Sequence, residues 1–285
     1  MSAGARRSTC PQPYLEGVLR AAFDAWLGEA VARHSRALEL REIRKGVQAL
    51  SALYVERRPG VDLAARAIEG RGKRAAIATC YAPLHFLTVH HLLAAGGPTP
   101  FGAVRRVLDL GCGTGAAGAA AAATLAATGA APPAVLALDR SGFALGEARR
   151  TYAAFGLAAR TLRGVLPATA PRAGAGDLVV LGWAVNELDP LARAGLLAGL
   201  RRVLAAGAQL LLLEPLAGPA SPWWREWADA LAPLGVEEPR HKLRVVLPEW
   251  IARLDRAAGL DHRVLGARVL AGPLRGRPGA LDPPP

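Results

Sequence analysis

The chain has 285 residues, a formal net charge of +12 and a composition rich in alanine, glycine and arginine. This length is sufficient to bury a full hydrophobic core. Arginine supplies 32 of the 35 basic residues, a bias typical of GC-rich coding, so the charge alone does not define a nucleic-acid-binding protein. Cys10, Cys80 and Cys112 are too few and too scattered for a disulfide framework or a zinc site, and no metal is expected.

The sequence gives no signal for export or membrane insertion. Arg6 and Arg7 are not followed by an apolar stretch, so a secretory signal is not expected. The longest apolar run, residues 116–127, is almost entirely alanine and too short to span a bilayer. We therefore expect a cytoplasmic protein with no membrane partner.

The first hundred residues are predicted to be helical. From Pro13 to about Arg58 the apolar residues recur at helical spacing, which indicates a pair of amphipathic helices. A polar, glycine-containing stretch follows over residues 57–74, then a helical run over residues 75–95. Residues 96–100 contain two glycines and two prolines, which break the chain sharply. Residues 1–100 are therefore predicted to form a helical lid and substrate-binding region.

Beyond residue 100, short β-rich runs alternate with alanine- and leucine-rich helices, the pattern of a parallel sheet with crossover helices. Strands are predicted at residues 106–110, 135–139, 160–163, 177–183, 209–214 and 262–270. Helices are predicted at residues 116–128, 142–155, 190–204, 223–231 and 248–258. The fold class is thus α/β, with a Rossmann-like domain over residues 101–271 and a disordered tail rich in proline and glycine over residues 272–285.

A glycine-dense turn from Leu108 to Gly118 joins the first predicted strand to the next helix. It contains Gly111, Gly113 and Gly115, with Cys112 between the first two. Glycine allows a tight turn and lets a ligand approach the backbone, and the N–H groups that open the helix can hold an anion. The turn therefore predicts a cofactor site.

Two acidic residues help to identify that cofactor. Asp109, beside the turn, is well placed to bind an ammonium group directly or through water, and it would repel a pyrophosphate. Asp139 ends the second predicted strand and is suited to hydrogen-bond two ribose hydroxyls. Residues 113–118 also fit the G-x-G-x-x-G dinucleotide fingerprint, so a nicotinamide cofactor is the alternative.

The run Asp109-Leu-Gly-Cys-Gly-Thr-Gly resembles motif I of class I S-adenosylmethionine-dependent methyltransferases. The resemblance implies a seven-stranded sheet with an antiparallel last strand, and S-adenosylmethionine as cofactor. The implied cofactor-binding residues are Asp109, Gly111, Cys112, Gly113, Gly115, Asp139, Arg140, Val165 and Asn186. Many members have an acidic residue near the adenine, whereas here the third strand ends in Arg163-Gly164-Val165, which leaves backbone contacts around Val165.

Candidate catalytic residues follow the fourth predicted strand, because ligands of open α/β sheets lie outside the carboxyl ends of the strands. Asn186 or Glu187 could orient the nucleophile or accept its proton. Alternatively, Asn186 caps the helix that starts near Pro190, and Glu187 is a solvated charge. Glu214, at the end of the next strand, could line the pocket, although simple strand termination is favoured.

Several aromatic residues have two interpretations. Tyr81 and His85 lie one helical turn apart, so they could cover the cofactor, but a buried hydrogen-bonded pair is favoured. The same holds for His90 and His91. The tryptophans at positions 223, 224 and 227 could stack on a ring, but they are favoured as core residues that pack a helix onto the sheet.

Looser motifs cover more of the chain. Residues 49–54, Tyr81-Ala-Pro, Val185-Asn-Glu-Leu and Leu213-Glu-Pro resemble the mitochondrial small-ribosomal-subunit methyltransferase-like family and its bacterial relatives. This resemblance implies binding to ribosomal RNA, but the family's C-terminal cysteine cluster is missing because no cysteine follows Cys112. Arginines at positions 33, 36, 41, 44, 57, 58, 66, 71 and 74 would suit RNA.

The substrate is therefore left open between RNA and a small molecule. A small-molecule enzyme should have an enclosed pocket beneath the N-terminal helices. The alternative function is a non-catalytic, RNA-binding ribosome-assembly factor that retains the cofactor fold.

Overall fold

The computed structural model describes residues 13–56, 62–95, 101–216 and 221–273. The predicted break at residues 96–100 lies outside these ranges, as do Arg57 and Arg58. The predicted tail is described only at its first residues, where Gly272 belongs to the last strand and Pro273 follows it.

A seven-stranded sheet forms the centre of the molecule, which confirms the predicted fold class. Its strands are β1 (Arg106–Leu110), β2 (Ala134–Asp139), β3 (Ala159–Arg163), β4 (Asp177–Gly182), β5 (Gln209–Glu214), β6 (Arg240–Arg244) and β7 (Val264–Gly272). The strand order is β3-β2-β1-β4-β5-β7-β6, and β7 is antiparallel to both of its neighbours. The strand order reverses direction between β1 and β4, where open α/β sheets bind their ligands.

Helices cover both faces of the sheet. The N-terminal ones are α1 (Gly17–Ser35), α2 (Leu40–Glu56), α3 (Leu63–Ala67), α4 (Arg71–Ala76) and α5 (Ala82–Ala95), with a π turn (Ile77–Tyr81) between α4 and α5. The later ones are α6 (Ala116–Ala126), α7 (Gly142–Ala154), α8 (Pro190–Ala205), α9 (Trp224–Leu231) and α10 (Glu249–Ala258). In the described part of the chain, no helix is long and apolar enough to cross a membrane.

Most predicted elements are present, with three corrections. The stretch predicted as polar over residues 57–74 contains α3 and most of α4. The strand predicted at residues 262–270 begins instead at Val264 and ends at Gly272. The edge strand β6 was not placed from the sequence, because its basic residues hide the apolar alternation of a strand.

The N-terminal helices pack on the sheet through one continuous core. Aromatic rings join the two parts: Phe86 of α5 stacks on Phe155, which follows α7, and both contact Trp26 of α1. The Trp26 indole also donates a hydrogen bond to Thr151 Oγ1 of α7 at 3.2 Å. Because these side chains share a core with residues of β1 and β4, the helical region is fixed against the sheet.

Candidate active site

The glycine turn lies between β1 and α6, and its close contacts explain its composition. Gly111 has φ +67°, and a Cβ atom there would lie 2.7 Å from Cβ of Ala184, the residue two positions beyond β4. Gly113 has φ +52° and nothing within 4 Å of its missing Cβ, so its surface faces open space. The chain thus packs tightly against β4 at Gly111 and leaves room for a ligand at Gly113.

Asp109 lies beneath the glycine turn and does not line the cavity described below. Its Oδ2 accepts hydrogen bonds from the hydroxyl of Tyr152 at 2.7 Å and from the backbone N–H of Gly118 at 3.1 Å. Burial raises the pKa of Asp109 to about 7, although these two hydrogen bonds lower it. Asp109 Oδ1 has no hydrogen-bond partner among the described residues. Direct contact with an ammonium group stays a prediction, and the observed contacts assign Asp109 to holding the turn in place.

Asp139 connects the turn to the second strand. Its Oδ2 accepts the N–H of Gly113 at 2.9 Å, and its Oδ1 accepts the N–H of Ser141 at 2.8 Å. A carboxylate has about four acceptor positions, so two stay available for ribose hydroxyls. The side chain lines the cavity, as the sequence prediction requires.

Arg140 and Val165 lie at the rim of the same site. Arg140 forms an ion pair with Asp62, the N-cap residue of α3, and so links the cofactor side to the N-terminal region. Val165 is exposed and lines the cavity, and its carbonyl accepts a hydrogen bond from the N–H of Thr169 at 3.0 Å. An adenine contact at Val165 stays a prediction, and its backbone N–H is the group that this hydrogen bond leaves for it.

These residues fit S-adenosylmethionine. The open surface at Gly113 provides the space, the start of α6 provides backbone N–H groups for a carboxylate, and Asp139 provides acceptors for a ribose. Cys112 lines the same surface, but burial raises the pKa of its thiol well above the usual value, so it stays protonated.

A hydrogen-bonded group lies at the carboxyl ends of β4 and β5. Asn186 donates its backbone N–H and its Nδ2 to the two carboxylate oxygens of Glu214, at 3.0 and 2.5 Å. Its Oδ1 accepts hydrogen bonds from Ser221 Oγ at 3.0 Å and Trp223 Nε1 at 2.9 Å. Asn186 and Glu214 both line the cavity. Glu214 is the last residue of β5, as favoured, but it is also fully buried and anchors Asn186 beside the cavity, so its role is more than strand termination.

The alternative role for Asn186 as a helix cap is wrong. Asp189 caps α8 by accepting the N–H of Ala192 at 2.8 Å. Glu187 is half-buried and lines the cavity. The pKa of Arg140 is raised first by its hydrogen bond to Asp62 and to a lesser degree by the nearby Glu187. The structure therefore brings both predicted catalytic residues to the cavity, and a catalytic role for either stays a prediction.

One cavity of about 800 Å³ extends from the glycine turn to the underside of the N-terminal helices. This volume lies within the range of small-molecule sites. The residues that line its cofactor side are Gly111, Cys112, Gly113, Asp139, Ser141 and Val165. The other lining residues include four with rings, Tyr81, His85, Trp183 and His262, and we call these four the aromatic wall.

The aromatic wall begins directly beside the glycine turn. Trp183 follows β4 with φ +57°, in the left-handed region that non-glycine residues rarely adopt. Its indole stacks on the imidazole of His85 with ring centroids 3.7 Å apart and an interplanar angle of 9°. Burial, and then the nearby His262, lower the pKa of His85 to about 3, so this imidazole is neutral at physiological pH.

Of the other aromatic candidates, the histidines at 90 and 91 and the three tryptophans lie away from the cavity, whereas Tyr81 and His85 line it. His90 Nδ1 is 2.9 Å from Thr124 Oγ1, and His91 is buried nearby, so both belong to the packing of α5. The three tryptophans at positions 223, 224 and 227 are buried in the core on the α8 face of the sheet. Tyr81 and His85 both line the cavity, and the Tyr81 hydroxyl also donates to the Val47 carbonyl at 3.3 Å.

The sequence interpretation missed several residues of the site. Trp183 was assigned to a strand, His262 to the start of another, and Asp255 to a helix, with no functional role for any of them. Asp255 accepts hydrogen bonds from both the backbone and the ring of His262. The sequence offered one local signal for this pair: Asp255 lies seven positions before His262, and Gly259, which ends α10, lies between them.

Residues 107–207 match the family model of a methyltransferase domain, which contains β1, the glycine turn, Asp139 and Asn186. The chain therefore contains a methyltransferase domain, and its strand order and glycine turn are those of a class I enzyme that uses S-adenosylmethionine. The nicotinamide alternative is not supported.

Solved structures with a similar chain trace include several methyltransferases. The mitomycin 7-O-methyltransferase MmcR is 15% identical, with 90% of this chain and 75% of that chain covered and a TM-score of 0.47. The pyocyanin biosynthetic protein PhzM is 19% identical, with 86% and 76% covered and a TM-score of 0.46. A proposed O-methyltransferase from Nostoc punctiforme is 15% identical, with 86% and 71% covered and a TM-score of 0.47.

A search of curated proteins gave no match. None of these comparisons shows the mitochondrial ribosomal family, so that resemblance stays a prediction.

Proposed function

We propose that this methyltransferase modifies a small molecule that is held between the glycine turn and the aromatic wall. The observation that carries the proposal is the cavity of about 800 Å³, which is continuous from Gly113 to His262. A cofactor at the turn would leave the aromatic wall as the surface for a second molecule. The expectation of a pocket beneath the N-terminal helices for a small-molecule enzyme agrees with this cavity.

The protein's part in such a reaction is alignment and exclusion of water. When bound, S-adenosylmethionine supplies a methyl group on a positively charged sulfur, so the acceptor needs only to be held in line with it. Ala184 contacts the glycine turn, and Trp183, its neighbour, starts the aromatic wall. An acceptor on this wall would therefore lie next to the cofactor.

RNA is a weaker candidate because many of the N-terminal arginines make contacts within the protein. Arg33 pairs with Glu147, Arg71 donates to the Ala37 carbonyl, and Arg74 donates to the Ile68 carbonyl. Arginine side chains that are held by internal partners are less available to phosphates. A non-catalytic assembly factor would also not need the aromatic wall.

Calorimetric titration of S-adenosylmethionine and S-adenosylhomocysteine tests the cofactor half of the proposal. We expect binding to the wild-type protein and weakened binding to Asp139→Ala. Absence of binding to the wild-type protein would contradict enzyme function and favour the assembly-factor alternative.

Transfer of a tritiated methyl group tests the acceptor half. The protein is offered either a panel of small hydroxylated aromatic compounds or small-subunit ribosomal RNA. We expect label in the small-molecule fraction and none in RNA. Label in RNA that falls with salt and with the triple variant Arg41→Glu, Arg44→Glu and Arg57→Glu would support the RNA alternative instead.

A further inference from the structure

The Asp255–His262 pair is a fixed unit at the edge of the cavity. Asp255, in α10, is buried, and its Oδ1 lies 2.5 Å from His262 Nδ1. Its Oδ2 accepts the backbone N–H of His262 at 2.7 Å. One carboxylate therefore holds both the main chain and the ring of His262, which sets the orientation of the imidazole.

This orientation directs the other ring nitrogen of His262 away from Asp255. The ring lines the cavity, its side chain is 33% exposed, and its edge packs against Tyr81 with centroids 6.2 Å apart. Nε2 lies on the ring side opposite Nδ1, and the hydrogen bonds of His262 to the residues that the structure describes are made by its backbone N–H and Nδ1. The groups around His262 that titrate or carry charge are Asp255 on α10, Tyr81 on the π turn, His85 on α5, and the adjacent Asp261–Arg263 ion pair.

The polar groups nearest the aromatic wall and the carboxyl ends of β4 and β5 are less suited than His262 to accept a proton. Both oxygens of Glu214 are bound to Asn186, whose amide is not a base. Glu187 lies in the field of Arg140. His85 is stacked on Trp183 and has no carboxylate partner in the described structure, so it lacks a group to stabilise its protonated form. Of the two histidines that line the cavity in the described structure, His262 is the one with a buried carboxylate bound to its ring.

We propose that His262 is the catalytic base that takes the proton from the hydroxyl of an aromatic acceptor, with Asp255 as its positioning residue. The inference rests on the proposed small-molecule methyl transfer and names its substrate class. Aromatic rings pack favourably on the faces and edges of other rings, which the aromatic wall provides. A phenolic hydroxyl is mostly protonated at neutral pH, so its methylation benefits from a base.

The proposed step is balanced in atoms and charge. The acceptor oxygen bonds to the methyl carbon while the carbon–sulfur bond breaks and its electron pair stays on sulfur. The hydroxyl proton moves to Nε2 of His262. The resulting imidazolium is stabilised by the Asp255 carboxylate and returns its proton to solvent after product release.

The first test uses 4-nitrophenol, which absorbs visible light only when ionised, and the protein saturated with S-adenosylhomocysteine. We expect the wild-type complex to ionise the bound probe at a pH below the probe's own pKa, with an apparent shift of about tenfold in the ionisation constant. His262→Gln should still bind the probe but leave it protonated. Asp255→Asn should give a smaller shift than the wild type. His90→Gln is the matched control, because His90 does not line the cavity.

The second test separates a catalytic base from a structural residue. With a series of ring-substituted phenols and labelled S-adenosylmethionine, His262→Gln should lower kcat by roughly 10²–10⁴-fold for weakly acidic phenols. The loss should be much smaller for strongly acidic phenols, which arrive ionised, and KM should change little. A uniform loss across the series would indicate misfolding or lost packing and overturn the proposal.

The outcomes also separate this inference from the proposed function. Failure of S-adenosylhomocysteine to bind removes the proposed function itself. If S-adenosylhomocysteine binds normally but 4-nitrophenol does not bind, the assignment of the base and of the substrate class is overturned. The same holds if the probe binds without ionising, or if it ionises equally in His262→Gln.

Discussion

The two sides of the cavity differ in how the chain builds them. The cofactor side comes mainly from one stretch, β1 through β2, in which Gly113 and Asp139 contact each other directly. The aromatic wall joins Tyr81, Trp183 and His262, which lie far apart in the sequence on a π turn, a strand end and a helix–strand connection. A local motif can therefore define the cofactor, whereas recognition of the acceptor depends on the tertiary fold.

The packing under the glycine turn should be the feature most sensitive to substitution. In Gly118→Ala the new Cβ would lie 2.3 Å from Asp109 Oδ2, so we expect a loss of about 1–3 kcal/mol in the free energy of unfolding. Gly146→Ala, also inside a helix but with nothing within 4 Å, should gain about 0.5–1 kcal/mol. Urea unfolding of both variants measures the difference, and equal effects would contradict the assigned role of Asp109.

Two variants, one on each side of the cavity, should each weaken the binding of a different ligand. Asp139→Asn removes a charged acceptor from the predicted ribose site, so we expect affinity for S-adenosylhomocysteine to fall about 10- to 100-fold. In Trp183→Phe the new residue is still a non-glycine residue with positive φ, so the backbone constraint is unchanged. Its ring is smaller than the indole, so less ring area stacks on His85. This variant should weaken 4-nitrophenol binding and leave cofactor affinity within about twofold. Calorimetric titration of each variant with each ligand measures these affinities. If Asp139→Asn weakened 4-nitrophenol binding and Trp183→Phe weakened cofactor binding, the assignment of the two sides of the cavity would be wrong.

Acid should destabilise the folded protein through the buried His241. Burial lowers the pKa of His241 in β6 to about 4 from 6.5, so the unfolded chain binds more protons than the native protein between these values. The stability contributed by neutral His241 is therefore present above pH 6.5 and is lost as pH falls toward 4. His241→Gln should reduce the slope of unfolding free energy against pH by up to about 1.4 kcal/mol per pH unit. Urea titrations at a series of pH values measure this slope, and an unchanged slope would contradict the burial of His241.

The contribution of Asp109 to stability should depend on pH with the opposite sign to that of His241. Its folded pKa of about 7 lies above the unfolded value of 3.8, so the native protein binds more protons between these values. Its contribution to stability is complete below pH 3.8 and decreases as pH rises to about 7. Asp109→Asn, which cannot ionise, should therefore be relatively more stable at pH 8 than at pH 4 when compared with the wild type. A constant difference between the two proteins would show that Asp109 does not titrate in this range.

The ion pair between Arg140 and Asp62 at the cavity rim should contribute least to stability. Arg140 and Asp62 are both about half exposed, so Arg140→Ala should cost less than about 1 kcal/mol in stability. Because the pair links the two sides of the cavity, the same variant should release S-adenosylhomocysteine a few-fold faster, measured by stopped-flow displacement. Arg263→Ala, which breaks the exposed pair with Asp261, is the control and should not change the release rate.

Sequence reasoning found the parts of the fold that are encoded locally. The strand β1, the glycine turn and Asp139 have short-range signatures, because a tight turn and a ligand at its backbone require glycine. The edge strand β6 was missed because its alternation is weak. Trp183 and the Asp255–His262 pair were missed for another reason, since neither a left-handed backbone residue nor a carboxylate one helix away has a fixed spacing pattern.

The π turn at Ile77–Tyr81 constrains how this sequence can change in length. A π turn contains one residue more than an α turn, so deletion of a single residue there could restore a continuous helix from α4 to α5. Each residue accounts for about 100° of rotation about a helix axis, so α4 and the α2 segment packed on it would turn by that angle relative to Tyr81. One-codon deletions in this turn should therefore be far less tolerated than deletions in surface loops, even where every side chain of the cavity is retained.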